Sequence, residues 1–126
     1  MQTADVVVIG GGCMGAAAAY YLTERGAGHV VLVEREPQLA VGSTGKNAGG
    51  VRHQFSDPAN IALSKESIAL FERFEDAVGS PIDFWQDGYL FVLNREESER
   101  SFAESVRLQR SLGVDVQWLT PAEAAA

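Results

Sequence analysis

Residues 5–34 read DVVVIGGGCMGAAAAYYLTERGAGHVVLVE, and this stretch decides the fold. Four apolar β-formers at positions 6–9 predict a strand buried on both faces, as in a parallel sheet. A second apolar run at 30–34 predicts another strand. The alanine-rich segment between them predicts a helix over residues 14–25, with Gly26 as its C-cap. The stretch therefore predicts a strand–helix–strand unit.

Glycines at positions 10, 12 and 15 complete the pattern G-x-G-x-x-G where the first strand turns into the helix. In this pattern the glycines permit a tight turn, the approach of a pyrophosphate to the backbone, and close helix–strand packing. Glu34 follows Gly15 by 19 positions, near the spacing of an acid that binds a ribose hydroxyl. The pattern predicts a dinucleotide site; the plainer interpretation is a tight turn followed by a surface charge.

Composition limits the classes of protein to consider. The 126 residues suit one ordinary domain, and a hydrophobic content of 46% is sufficient for a packed core. The one cysteine excludes an internal disulfide and fits a reducing compartment. The sequence has no apolar run long enough for a membrane span, and the first strand begins too early to leave room for a signal peptide. We therefore expect a cytoplasmic protein.

The net charge of −7 is unevenly distributed along the chain. Residues 1–53 hold four basic and four acidic side chains, so the whole negative excess lies in residues 54–126. A neutral half suits a phosphate site. An acidic remainder argues against nucleic acid and anionic membranes as partners.

A glycine-rich polar loop, VGSTGKNAGGVR, occupies residues 41–52. Taken alone, such a loop is more often a turn-rich linker than a site. Here it directly follows the predicted nucleotide-binding unit. Its hydroxyls, backbone N–H groups and Lys46 are suited to completing a pyrophosphate site.

Together, these residues resemble the D-amino-acid oxidase family of FAD-dependent oxidoreductases, which includes sarcosine oxidase, glycine oxidase and dimethylglycine dehydrogenase relatives. The resemblance is specific over residues 5–56 and looser to about residue 119. It implies FAD, with Glu34 on the adenosine ribose and the 43–47 loop along the pyrophosphate and beneath the flavin. The cofactor-binding residues that it implies are Gly10, Gly11, Gly12, Met14, Gly15, Glu34, Arg35, Ser43, Thr44, Lys46, Asn47 and Gly49. Lys46 stands where covalently flavinylated relatives have a histidine, so we expect non-covalent FAD.

The resemblance also implies a reaction: hydride transfer from the carbon next to an amine nitrogen to flavin N5. Substrates would be D-amino acids, glycine or N-methylated amino acids, with oxygen or another redox carrier as electron acceptor. Two other hypotheses remain, a non-catalytic assembly or scaffold flavoprotein and an NAD-dependent Rossmann enzyme. The loop after Glu34 argues against the NAD enzyme.

Arg52 is the candidate substrate-binding residue. In sarcosine-oxidase relatives, an arginine matching this position holds the substrate carboxylate, and a planar guanidinium can bind a carboxylate through two parallel bonds. Gly49 departs from those relatives, which carry a further arginine there. The alternative is an ordinary surface arginine. The sequence identifies no catalytic base, nucleophile or metal cluster.

Residues 57–126 predict helices and short strands. Asp57 and Pro58 predict the start of a helix with a broad apolar stripe that ends near residue 78. Residues 82–93 predict a hairpin around Asp87-Gly88, whose aromatics are sheet core or, less commonly, line a substrate cavity. Asn94 predicts a capping-box start for a helix to residue 112, and residues 114–118 predict a strand.

Thr120 predicts one more helix, which is cut off at its first turns. The fold class predicted is α/β: a Rossmann-type FAD-binding βαβ unit with an incomplete doubly wound sheet, followed by the start of an α+β substrate domain. We expect residues 1–80 to belong to the FAD-binding domain and residues 81–126 to begin the substrate domain. A doubly wound sheet needs at least three parallel strands, so we expect the chain to be the N-terminal part of a longer protein.

Overall fold

The computed structural model describes residues 3–125, and the chain forms two compact units that divide between Gly50 and Val51. Unit one contains β1 (Val6–Ile9), α1 (Cys13–Glu24), β2 (Val30–Val33) and the short α2 (Ser43–Lys46). Unit two contains α3 (Pro58–Phe71), α4 (Phe74–Val78), α5 (Glu96–Ser111) and α6 (Pro121–Ala124). The chain is thus a mixed helix–strand protein.

Unit one has the predicted strand–helix–strand order. β1 and β2 pair in parallel, with Val6 opposite Val30 and Ile9 opposite Val33. Parallel neighbours need a crossover connection, and α1 provides it. The predicted helix is confirmed to within one residue at each end, with Arg25 as the C-cap. This arrangement is consistent with the start of a Rossmann-like FAD-binding fold.

The prediction that the first strand is buried on both faces is wrong for the described residues. Burial alternates along β1, and Val7 and Ile9 are 54% and 85% exposed. In residues 3–125 the sheet has two strands, and α1 is the helix of unit one that packs on them. One helix can cover one face of a sheet, so the other face of β1 stays accessible.

Unit two has a small core where α3 and α5 pack together. Ile61 of α3 is fully buried, and Val106 of α5 and Val114 are nearly so. The predicted start at Asp57 is confirmed, because its carboxylate accepts the Asn60 N–H at 3.0 Å. The predicted continuous helix to residue 78 is wrong: α3 ends at Phe71, and α4 follows after a short break.

The strands predicted for unit two are absent from the part of the chain that the structure describes. Residues 82–93 and 114–118 form neither a hairpin nor a strand, although Gly88 has the positive φ of a turn residue. An isolated two-stranded hairpin is marginal in water, and strand-forming residues need a sheet to pair with. The alternating pattern indicates residues that can form strands, but a strand forms only when a neighbouring strand is available to pair with it.

The helix starts predicted at Thr120 and Asn94 had different outcomes. At Thr120 the box is present, since its hydroxyl accepts the Glu123 N–H while the Glu123 carboxylate accepts the Thr120 N–H. At Asn94 the prediction is wrong, because α5 begins one residue later with Arg95 as its N-cap and no side-chain cap. The difference shows that one matching pair of residues does not fix the first residue of a helix.

Candidate cofactor-binding site

The glycine turn between β1 and α1 is built by backbone geometry. Gly10 has φ +100°, a conformation that residues with a Cβ rarely adopt. A Cβ at Gly15 would collide with the carbonyl oxygen of Gly10 and lie 3.0 Å from its carbonyl carbon. The first glycine therefore makes the turn, and the third lets α1 approach it closely.

The N-terminus of α1 presents backbone donors beside this turn. The first N–H groups of a helix have no intrahelical acceptor. The Cys13 N–H donates instead to the Thr44 hydroxyl at 3.0 Å. Gly12 is the helix N-cap, and a Cβ there would lie 3.1 Å from the same hydroxyl. Among the described residues, the Thr44 hydroxyl is therefore the group that lies over Gly12, next to the α1 N-terminus.

Glu34 follows β2 and binds the glycine turn with its carboxylate. Its Oε2 accepts the Gly11 N–H at 2.6 Å, and its Oε1 accepts the Glu36 N–H at 3.0 Å. These two N–H groups, that of Glu36 first, lower the pKa of Glu34 below its usual value. The carboxylate stays ionised and keeps lone pairs for further donors such as ribose hydroxyls.

Gly11, at a position that the motif leaves free, is buried. Its N–H is bound by Glu34, its carbonyl oxygen accepts the Ala40 N–H at 3.0 Å, and a Cβ on it would collide with a methyl group of Leu39. Nothing in the sequence pattern indicates that Leu39 and Ala40 lie against this glycine. The positive φ of Ala40, +63°, carries no sequence signal, because glycine or asparagine is the usual residue there.

The 43–49 segment is not the open loop that the sequence predicted, because Ser43–Lys46 forms the single helical turn α2. Thr44 links this turn to α1. The Asn47 side-chain amide donates to the Thr44 carbonyl oxygen, and its Oδ1 accepts the Gly49 N–H at 2.5 Å. The side chains of Ser43 and Lys46 are exposed. Hydrogen bonds therefore join Thr44, Asn47 and Gly49, while Lys46 extends into solvent.

Two predicted residues lie at the edge of this arrangement. Arg35 pairs with its neighbour Glu36, Nε to Oε1 at 3.0 Å, with 90% of the Arg35 side chain exposed. Such a surface pair contributes little to stability. Met14, the second residue of α1, is 80% exposed. The structure places both next to the turn without packing them into it.

Arg52 belongs to unit two. Its guanidinium carbon lies over the ring of Phe55, 5.1 Å from the ring centroid, and over the ring of Phe91 at 5.2 Å. Among residues 3–125, no carboxylate pairs with it. The sequence predicted an arginine that binds an anion, and it gave no sign of the two aromatic neighbours.

The residues of unit one fit a dinucleotide cofactor. The glycine turn leads into the N-terminus of α1, where a helix offers N–H groups to a phosphate, and the Glu34 carboxylate is bound to the Gly11 N–H of the same turn. Residues 3–125 contain no cluster of His, Cys, Asp or Glu arranged to hold a metal ion. No helix in the described range is long and apolar enough to cross a bilayer.

Comparison with known proteins assigns the family. The family model for FAD dependent oxidoreductase (DAO) matches residues 5–126. FAD-dependent oxidoreductase domain-containing protein 1 of Xenopus laevis is 38% identical over 95% of this chain and 26% of its own length. Mitochondrial sarcosine dehydrogenase of Mus musculus is 31% identical over 97% of this chain and 13% of its own length. Mitochondrial dimethylglycine dehydrogenase of Rattus norvegicus is 36% identical over 79% of this chain and 11% of its own length.

The chain spans about a quarter of the length of the first of these relatives. No solved structure matches the chain significantly. The family match covers the glycine turn, Glu34 and the 43–49 segment, and it confirms the resemblance inferred from them. The chain belongs to the DAO family of FAD-dependent oxidoreductases, and its cofactor is FAD.

Proposed function

We propose that this chain is the FAD-binding N-terminal portion of an enzyme that oxidises the C–N bond of an amino acid or an N-methylated amino acid. The observation that carries the proposal is the glycine turn with Glu34 bound to its centre, in a chain of the DAO family. Two relatives support the substrate class, because their names are sarcosine dehydrogenase and dimethylglycine dehydrogenase. Both names describe N-methylated amino acids.

The flavin, when bound, supplies the chemistry by accepting a hydride at N5 from the carbon next to the amine nitrogen. The residues of this chain bind and orient it. With FAD bound, the α1 N-terminus would donate to the pyrophosphate and Glu34 would accept from the ribose hydroxyls. Thr44 links α2 to the α1 N-terminus by accepting the Cys13 N–H. Arg35, Ser43, Lys46, Asn47 and Gly49 complete the proposed cofactor contacts.

Arg52 is the proposed ligand of the substrate carboxylate. Its guanidinium has no carboxylate partner among residues 3–125, and a bidentate contact fixes the orientation of a substrate. A carboxylate bound in this way would determine which C–H bond faces the flavin. The proposed electron acceptor is oxygen or another redox carrier.

The proposed larger architecture is a doubly wound sheet that the rest of the protein completes. Residues 1–80 belong to the FAD-binding domain in this proposal, and residues 81–126 begin an α+β substrate domain. That boundary falls within unit two, where α3 and α5 pack together. The cytoplasmic location also stays a prediction, and the relatives whose names place them in mitochondria do not support it.

Flavin bleaching by substrate tests the proposal. The full-length protein should purify yellow, and under anaerobic conditions a small amino acid or N-methylated amino acid should bleach it. A yellow protein that no member of a panel of D-amino acids, glycine and N-methylated glycines bleaches would instead support a scaffold flavoprotein. A colourless protein that binds NAD would contradict the cofactor assignment as well.

Acid precipitation tests the expected non-covalent attachment. Lys46 cannot form the histidyl–flavin bond of the covalent relatives, so the yellow colour should pass into the supernatant. Colour retained in the pellet would contradict this expectation. Peptide mapping of the coloured pellet would then locate the attachment residue.

A further inference from the structure

The guanidinium of Arg52 lies over two phenylalanine rings, an arrangement that the proposed function does not explain. Its Cζ is 5.1 Å from the centroid of the Phe55 ring and 5.2 Å from that of Phe91. An arginine stacked on an aromatic face keeps the N–H donors at its edge available to other groups. We call the rings of Phe55 and Phe91 the aromatic cradle.

Both segments that carry the cradle are fixed by side-chain amides. Gln109 of α5 donates to the Phe55 carbonyl oxygen at 2.9 Å. Gln54 donates to the Tyr89 carbonyl oxygen at 3.3 Å, two residues before Phe91. The Phe91 ring also packs on Phe102 of α5, with 5.6 Å between centroids. Long-range contacts within unit two therefore hold both rings in place.

The side-chain amide of Gln109 is buried at an energetic cost. Gln109 is 4% exposed, and its Oε1 is buried without a hydrogen-bond partner among the described residues. An unpaired buried oxygen is unfavourable, so packing alone would favour an apolar side chain at this position. The contact that Gln109 does make is the one to Phe55, at the base of the cradle.

We propose that Phe55 and Phe91 are positioning residues that hold the Arg52 guanidinium ready for a substrate carboxylate. The inference rests on the proposed role of Arg52 and deepens it. Arginine carries large rotamer entropy, and a preorganised guanidinium loses less of it on binding. An exposed arginine without the cradle would sample many rotamers, and its affinity for a carboxylate would fall.

Acetate binding measures this effect without catalysis. Acetate is titrated into the FAD-loaded full-length protein and followed by calorimetry, with acetamide as the uncharged control ligand. Arg52→Gln should abolish the preference for acetate. Phe91→Leu and Phe55→Leu should each weaken acetate binding about two- to fivefold, the strength of an exposed cation–π contact, and leave acetamide unchanged.

Two matched variants separate positioning from general packing. Phe91→Tyr keeps the aromatic face and should retain acetate affinity within about twofold. Phe84→Leu alters another ring of the same segment, one that packs on Phe71 at 5.6 Å instead of on a cation, and should have no effect on acetate. In the Arg52→Gln background, Phe91→Leu should no longer change acetate binding.

The outcomes distinguish the positioning role of the aromatic cradle from the proposed role of Arg52 as carboxylate ligand. Loss of acetate binding in Arg52→Gln together with normal binding in both leucine variants would overturn the cradle and leave the role of Arg52 intact. Equal losses in Phe91→Tyr and Phe91→Leu would also overturn the cradle, because a packing defect would explain them. Normal acetate binding in Arg52→Gln would remove the proposed carboxylate site and the cradle with it.

Discussion

The two compact units are stabilised in different ways. In unit one, the contacts that organise the structure are made largely by backbone groups: the parallel strand pair, the Gly11 N–H bound by Glu34 and the Cys13 N–H bound by Thr44. In unit two, apolar side chains form a core. Among residues 3–125, the buried hydrophobic side chains are Ile61, Val106 and Val114, and all three lie there.

This difference suggests how each unit responds to FAD. Unit one offers a cofactor the glycine turn and the N-terminus of α1, and none of its described hydrophobic side chains is fully buried. A ligand that binds the folded form stabilises it by mass action, so FAD should contribute to the stability of unit one. Changes in unit one should therefore affect flavin binding first, and changes in unit two should affect stability first.

The largest expected effect is in the core of unit two. Ile61→Ala should lower the free energy of unfolding by about 2–5 kcal/mol, because it removes a fully buried side chain and leaves a cavity. Urea unfolding of the full-length protein measures it. Leu63→Ala on the same helix is the control, since Leu63 is 68% exposed and the change should stay within about 0.5 kcal/mol. Equal losses in both variants would contradict the proposed core.

Gly15→Ala should have the next largest effect, and on flavin content. The new Cβ would collide with the Gly10 carbonyl oxygen, so the turn must open at a cost of about 1–3 kcal/mol or more. The flavin-to-protein absorbance ratio measures the loss. Gly42→Ala is the matched control, because its Cβ would meet nothing within 4 Å and its φ is −79°. Full flavin occupancy in Gly15→Ala would show that the turn does not bind the cofactor as proposed.

Glu34→Ala should weaken FAD binding about 10- to 150-fold, the strength of charge-assisted hydrogen bonds to the ribose. The variant also releases the Gly11 N–H. Equilibrium dialysis of the apoprotein against FAD gives the dissociation constant. Glu36→Ala nearby serves as the control and should bind FAD normally. An unchanged constant for Glu34→Ala would make Glu34 an ordinary surface charge.

Thr44→Val should weaken FAD binding by a smaller factor, about two- to tenfold. Valine has nearly the shape of threonine but cannot accept the Cys13 N–H, and one hydrogen bond contributes about 0.5–1.5 kcal/mol. The same dialysis experiment measures it. Thr44→Ser keeps the hydroxyl and should bind FAD almost normally. Similar losses for serine and valine would mean that the hydroxyl does not matter.

The smallest expected effect is the pH dependence that Glu34 contributes. The N–H groups bound to Glu34 lower its pKa below the ordinary 4.5. The contribution of its carboxylate to FAD binding is therefore present above pH 4.5 and is lost as pH falls through the lowered pKa of the folded protein. FAD affinity should therefore not change with this group between about pH 8 and pH 4.5, and it should decline only at lower pH, as the lowered pKa of Glu34 is passed. Glu34→Gln should reduce that decline. An equally steep decline in Glu34→Gln would assign it to other groups.

Much of unit one could be predicted from the sequence. Apolar runs, glycine spacing and helix-forming alanines are local signals, and they predicted β1, α1 and β2 nearly to the residue. The dinucleotide pattern also pointed to Glu34. The sequence could not show that Glu34 binds Gly11, or that Leu39 and Ala40 lie against the same glycine. Those contacts depend on how a loop without regular structure folds back.

Unit two was less predictable because its strands depend on partners. The helix starts at Asp57 and Thr120 follow from neighbouring residues, which act over one or two turns, whereas the break between α3 and α4 was not predicted. The strands expected at 82–93 and 114–118 are absent from the described chain, because a strand requires a pairing edge that sequence alternation cannot supply. The cradle around Arg52 is likewise tertiary, since Phe91 lies 39 positions away in sequence.

The sequence by itself thus determined a dinucleotide-type glycine turn and the order of the first elements, because such a turn is set by consecutive residues, and the family resemblance added FAD. Only the tertiary structure decided which groups meet: Glu34 with Gly11, Thr44 with the α1 N-terminus, and Arg52 with two rings. The physical reason is separation along the chain. Local backbone preferences act between neighbours, whereas these contacts form when distant segments pack and their polar groups find partners.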